Sequence, residues 1–244
     1  MRIATVVFAA VLIALGIATL VDHAYLPLWL LPDDAPAHDP LVYLCTAVSL
    51  AVGAGLLWPR TAPLAARAWF GFVVAWWLIF PVRLLVHDPG ELGAWYGVAE
   101  PAVLVAAAWI LATSRGVPIA RVIYGLALVP FGLGHFAYLE RTESLVPSWL
   151  PAHHTLALVT GGAFLAATLA IITGVWARLA AALSALQLGL FTVLVWVSLR
   201  FVRPLDAFEW NEVGASIALA VAGWIVTESY RDVPWLGFAW RRAR

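Results

Sequence analysis

Eight apolar runs, each close to the length of a bilayer crossing, constrain this chain more than any motif it carries. A helix crosses the hydrocarbon core with about 20 residues at 1.5 Å each. The runs fall at about residues 3–20, 41–58, 66–86, 95–112, 117–139, 156–176, 179–199 and 213–227. Several contain Pro or Gly, which membrane helices tolerate when neighbours satisfy the freed backbone groups. Of the 244 residues, 64% are hydrophobic and 11% charged, whereas soluble domains hold about a quarter charged residues. The sequence therefore predicts an all-α, polytopic membrane protein of eight transmembrane helices, with the lipid bilayer as its first partner.

The formal net charge of zero conceals an asymmetry. All 14 basic residues are Arg. With a cytoplasmic N-terminus, Arg2, Arg60, Arg67, Arg115, Arg121, Arg178, Arg231, Arg241, Arg242 and Arg244 fall inside. Arg83, Arg141, Arg200 and Arg203 fall outside. This bias is the positive-inside pattern, and it predicts a multi-pass cell-membrane protein with both termini cytoplasmic. Among the acids only Glu228 and Asp232 fall inside. Arg2 before an apolar run also fits a signal peptide, but that run has a counterpart later in the chain, so it is expected to be a span.

That counterpart belongs to an internal repeat. "PAHD" at 36–39 matches "PAHH" at 151–154, an offset of 115 that also pairs Leu50 with Leu165, Pro89 with Pro204, Glu91 with Asp206, Trp95 with Trp210 and Trp109 with Trp224. With a small gap, "HAYL" from His23 matches "HFAYL" from His135. Residues 1–114 and 115–244 then form two units of four helices each. An even number of spans gives both units the same orientation, a parallel repeat about an axis along the membrane normal. Two four-helix bundles side by side are expected, with small residues such as Gly53, Gly55, Gly161 and Gly162 allowing close helix approach.

The segment "GLGHF…LVPSWLPAHH…TGGAFLAATLAIIT" resembles the DoxX/DoxD-like family of four-helix membrane proteins, here in tandem. It covers roughly residues 125–225 and reaches the first half through the repeat. The family pattern has a Gly-x-x-His-Phe helix end, an extracytoplasmic Pro- and Trp-bearing segment, and a second helix with a glutamate. Phe164 stands about where that glutamate would be, with Ser49 in the first half. The resemblance implies a link to quinone redox chemistry, because the family includes a subunit associated with a thiosulfate:quinone oxidoreductase. That is an analogy between families and assigns no reaction here.

The polar residues within this apolar frame are the candidates for function. All six histidines fall on the outer half. Loop polarity accounts for His38, His87, His153 and His154. His23 and His135 recur at the first helix end of each unit, where a polar group at membrane depth needs a partner. No metal-ligand spacing occurs, so no metal site is expected. Glu100 lies inside a span, where a carboxylate costs about 2.5–3.5 kcal/mol, and the short hairpin after Arg83 makes that arginine its candidate partner. Asn211 and Glu212 occupy the corresponding region of the second half. Trp76 and Trp77 lie deep enough to flank a quinone ring or lipid tail. "LPLWLLP" and "LVPSWLP" are too short to cross and read as interfacial lids. With His38, Trp149, His153 and His154 they form an outer cap over each bundle. Cys45 is alone in the chain, which excludes a thiol–disulfide exchange carried by this chain by itself.

Three functions compete. One is a quinone-linked subunit with an outer-side apolar pocket, quinone being the candidate cofactor. The second is a non-enzymatic assembly or partner-binding subunit, engaging a membrane or extracytoplasmic protein. The third is a small-solute transporter, weakened by an inner half almost empty of polar residues. No catalytic signature assigns a reaction, and no nucleic-acid patch appears.

Overall fold

The structure is a computed structural model that describes residues 3–22, 38–201, 204 and 207–239. The chain order is α1 (Ile3–Asp22), α2 (His38–Leu57), α3 (Ala62–Ile79), α4 (Pro81–His87), α5 (Leu92–Ala112), α6 (Val117–Ala137), α7 (Leu139–Leu145), α8 (His153–Thr173), α9 (Ala177–Phe191), a π-helical turn (Thr192–Val197) and α10 (Ala207–Ser229). Among the described residues eight spans are long and apolar enough to cross a membrane, with α3 and α4 forming one and α9 continuing through the π turn. The chain is a polytopic helical membrane protein, and its spans lie close to the eight expected from sequence.

Breaks in the helices have local causes. Pro81 has no N–H to continue α3, and the backbone bends at Phe80 (φ −107°, ψ −74°), which separates α4 from α3. Gly116 and Gly174 take left-handed conformations at the start of α6 and the end of α8, where the missing Cβ removes the penalty. Ala152 (φ 57°) and Trp176 (φ 53°) adopt the same region without that freedom. After α10 the chain returns across the α8–α9 turn: Trp176 N–H donates to Gly237 O at 2.9 Å and Ala239 N–H to Gly174 O at 2.8 Å.

α5 carries a long unbroken buried stretch. Ala99 and every residue from Ala102 to Ala108 are buried, because α3, α6 and α10 surround it. α10 packs in turn on α9, α5 and α1. Thus α5 meets the first helix of the second half, and α10 meets the first helix of the first half. The α6–α8 crossing is a backbone contact: a Cβ on Gly132 would stand 3.0 Å from Gly161 O, and one on Gly161 3.1 Å from Gly132 O. Without Cβ atoms the helices gain dispersion contact that lipid cannot replace. Three pairs of helices are joined by polar side chains: Tyr124 with Ser184 (2.8 Å), Thr168 to Gly125 O (2.9 Å) and Thr192 with Ser216 (2.9 Å).

On the side opposite α7, arginines hold the end of α10. Arg121 donates to the Ser229 hydroxyl and carbonyl and lies 3.9 Å over the Tyr230 ring. Arg178 donates to Arg231 O and Val233 O, both at 3.0 Å, and lies 4.1 Å over Trp235. Cations that cap the last carbonyls complement the helix dipole.

Candidate functional site

α6 reaches its last turn at His135, and there the chain builds a cavity of about 390 Å³. The wall comes from α5 (Tyr96), α6 (Gly134, His135), α8 (Leu156, Ala157, Thr160) and the α9 end with its π turn (Phe191, Leu194, Val195, Trp196). α7 and residues 146–150 close it from above, with Arg141, Val146, Pro147 and Leu150 in the lining. The volume falls in the range of small-molecule sites, which pair apolar walls with a few placed polar groups. π-helical turns often occur at functional sites, and this one forms part of the wall.

His135 is the most constrained polar group there. Its Nδ1 lies 2.7 Å from Phe131 O. A carbonyl oxygen can only accept, so Nδ1 carries the proton and Nε2 keeps a lone pair when the ring is neutral. Among the described residues Nε2 has no hydrogen-bond partner and is not a buried unpartnered atom, and His135 lines the cavity, so this nitrogen is accessible to a molecule there. The ring stacks on Phe191 (5.7 Å between centroids, 26°) and meets the edge of Phe164 (5.7 Å, 63°). Phe131 completes the aromatic cage against Phe164 and Tyr96.

Two glycines make this arrangement sterically possible. A Cβ on Gly161 would lie 2.6 Å from His135 Cβ, and one on Gly134 only 1.8 Å from Tyr96 Oη. Gly161 lets the histidine sit against α8, and Gly134 lets the phenol lie against α6. Tyr96 Oη then reaches Phe131 O at 3.4 Å. The lid is fastened to α8 by His154 Nδ1 and Glu143 Oε1, 2.7 Å apart.

The other expected residues are dispersed. His23 lies outside the described residues, as do the side chains of His38 and Asn211. Trp149 is 66% exposed on the lid and His153 opens α8, while among the described cap residues His154 fastens it. Trp76 and Trp77 do not line the cavity. Trp76 packs on Phe80 at 4.6 Å, and Trp77 Nε1–H donates to Val98 O at 2.9 Å, joining α3 to α5.

The Arg83–Glu100 pair does not form. Arg83 is exposed on α4, past the break at Phe80, and among the described residues no ion pair within 4.0 Å joins it to Glu100. Glu100, half-buried, lies instead within electrostatic reach of Glu212 on α10 and of Tyr96 one turn earlier. Short connectivity brings α4 and α5 together, but the bend at Pro81 turns the arginine outward. Tyr96, Phe164 and Phe191 belong to the site and escaped the sequence reading, because nothing local marks which aromatic residues a distant histidine will meet.

Comparison with protein families, curated proteins and solved structures returns no match. The chemistry of this site therefore rests on its own residues.

Proposed function

We propose that this chain is a cell-membrane protein built from two tandem four-helix units, with both termini cytoplasmic, that holds a quinone-class molecule in the outer-face cavity beside His135. Its role is then that of a membrane subunit coupled to quinone redox chemistry. The observation that carries the proposal is the fixed tautomer of His135: Nδ1–H is held by Phe131 O while Nε2 is open to a cavity whose other lining is largely apolar and aromatic. A ring compound with one polar edge and an apolar tail suits that combination, and the tail has the surrounding lipid to enter. The likeness of residues 134–154 to the DoxX/DoxD-like pattern points the same way.

The tandem arrangement is supported by the helix starts. His38, Ala62 and Leu92 open α2, α3 and α5, and His153, Ala177 and Ala207 open α8, α9 and α10, each 115 residues later. Cytoplasmic termini are supported by the arginines, ten of which fall on the side opposite α7 under that topology.

The test is extraction of the purified protein from mild detergent, with bound quinone quantified by chromatography and mass detection. Near-stoichiometric quinone in the wild type, lost in His135→Ala, is the expected result. Trace amounts equal in both would overturn the proposal and favour a non-enzymatic assembly subunit.

A further inference from the structure

We infer that the cavity selects the hydroxyl form of its ligand, a hydroquinone or other phenol, over the carbonyl form; this rests on the occupancy proposed above and adds the identity of the head group.

The polar side chains around His135 have already committed their protons. His135 Nδ1–H goes to Phe131 O at 2.7 Å, and the Tyr96 hydroxyl to the same oxygen at 3.4 Å. The Thr160 hydroxyl goes to Leu156 O at 2.8 Å and Ala157 O at 3.0 Å. On the lid, the Thr142 hydroxyl goes to Tyr138 O at 3.1 Å. Every one of these acceptors is a backbone carbonyl, which has no proton to give back, so the direction of each bond follows from chemistry alone. Toward the cavity His135 Nε2 and Thr160 Oγ1 present lone pairs, while the Tyr96 hydroxyl, with only its long bond to Phe131 O, is the least committed of the group.

Donors do remain in the lining, and they stand elsewhere. They are the Tyr138 phenol and Arg141 guanidinium, both exposed on the lid side, and the Trp196 indole on the π turn. A hydroxyl head placed at His135 donates to Nε2 and still accepts from any of them. A carbonyl head at the same place meets lone pairs with lone pairs and forfeits the hydrogen bond it made in water. A site built to accept a proton rejects an analogue that has none to offer, because a buried polar group is then left unpaired.

The experiment is equilibrium dialysis of the full chain in mild detergent, anaerobically and at pH 8, with bound decylhydroquinone and decylquinone quantified separately. The expected result is a preference for the hydroquinone of roughly tenfold or more, the size of one buried hydrogen bond made or missed. His135→Phe keeps an aromatic ring in the cage and removes the acceptor. It is expected to abolish the preference, bringing hydroquinone binding down to the level of the quinone. The wild-type ratio decides the matter even if that variant does not fold. Equal binding of the two forms, or tighter quinone, would overturn the hydroxyl preference while leaving the occupied cavity standing. Quinone binding that falls in Arg141→Gln would place the head at the rim and overturn it too. If neither compound binds, the occupancy proposal fails and this inference falls with it.

Discussion

Gly134→Ala separates the construction of the site from the stability of the fold. The added Cβ would lie 1.8 Å from Tyr96 Oη, 2.5 Å from Cζ and 2.6 Å from Cε2. Real contacts of this kind begin near 3 Å, so the phenol must retreat by about 1 Å or more. Tyr96 can do this because its hydroxyl is the free end of a side chain and holds only a long bond to Phe131 O. Overpacking costs about 1–3 kcal/mol, while Ala for Gly in a helix interior returns about 1 kcal/mol. The net loss of stability is then about 0–2 kcal/mol, compatible with a folded protein. The cavity, by contrast, loses a wall residue, and ligand occupancy should fall at least tenfold. Thermal unfolding in detergent measures the first effect, and ligand extraction or dialysis the second. A double-mutant cycle with Tyr96→Leu isolates the contact, because the truncated side chain leaves room for the methyl; its coupling should lie within about 0.5–3 kcal/mol. Occupancy unchanged in Gly134→Ala, or a cycle with no coupling, would refute the role assigned to this close approach.

The other expectations touch separate parts of the same frame. Gly161→Ala places its methyl 2.6 Å from His135 Cβ and 3.1 Å from Gly132 O; since backbone cannot step aside, it should destabilise by about 2 kcal/mol after the helix-propensity gain, read as a lower unfolding temperature than Gly134→Ala. His154→Ala removes the lid fastening to Glu143, a contact with side chains 63% and 32% exposed; stability should change by less than about 1 kcal/mol, while ligand dissociation should quicken about two- to fivefold in stopped-flow release. Burial pushes the Tyr230 phenol up to about 12, against the opposing pull of Arg121. The unfolded phenol loses its proton first, near 10, so this stabilisation is complete below pH 10 and fades as pH rises from 10 to 12; Tyr230→Phe should flatten that part of a stability-versus-pH curve.

The spans were legible because lipid enforces a coarse rule: about 20 apolar residues, with few charges between the ends. Their limits shift by a few residues, as where α2 begins at His38 rather than Leu41 and α3 at Ala62 rather than Ala66. The break at Pro81 was not read from the sequence, where residues 66–86 stood as one span, because a proline alone does not say whether a membrane helix bends. The site was legible only in part. His135 stood out because a polar residue at membrane depth needs a reason, and the segment after it read as a lid from its prolines and its length. Its surroundings did not stand out. Phe164 and Phe191 are two among many apolar residues on helices without a polar face, and only the packing of α8 on α6 and of α9 on α8 makes them neighbours of the histidine. Gly134 and Gly161 were visible as glycines, but the atoms that occupy the space of their missing Cβ come from other helices. Arg83 and Glu100 show the converse error: closeness in chain and opposite charge suggested a pair that the bend at Pro81 denies.

The proposed repeat gains a sharper register from one packing detail, and with it a last expectation. By sequence, "HAYL" sets His23 against His135. By contact, a Cβ on Gly16 would meet Leu50 Cγ at 3.0 Å, and one on Gly132 would meet Leu165 Cγ at 2.7 Å. Leu50 and Leu165 are already 115 apart, so the two glycines mark one equivalent crossing. Three residues beyond Gly132 stands His135, and three beyond Gly16 stands Thr19. Thr19 donates to Leu15 O at 2.9 Å, four residues back, as His135 donates to Phe131 O. The first half thus keeps the bond to the preceding turn but replaces the imidazole by a hydroxyl. Around it, under the proposed repeat, Ser49 stands for Phe164 and Trp76 for Phe191, each 115 residues earlier, so the ring that Phe164 sets against the histidine has no counterpart at that position. If the site belongs to the second half alone, His23→Ala should leave ligand occupancy at the wild-type level, while His135→Ala should abolish it and Thr19→Val should leave it unchanged. Equal loss in the two histidine variants would restore the sequence register and require two equivalent sites.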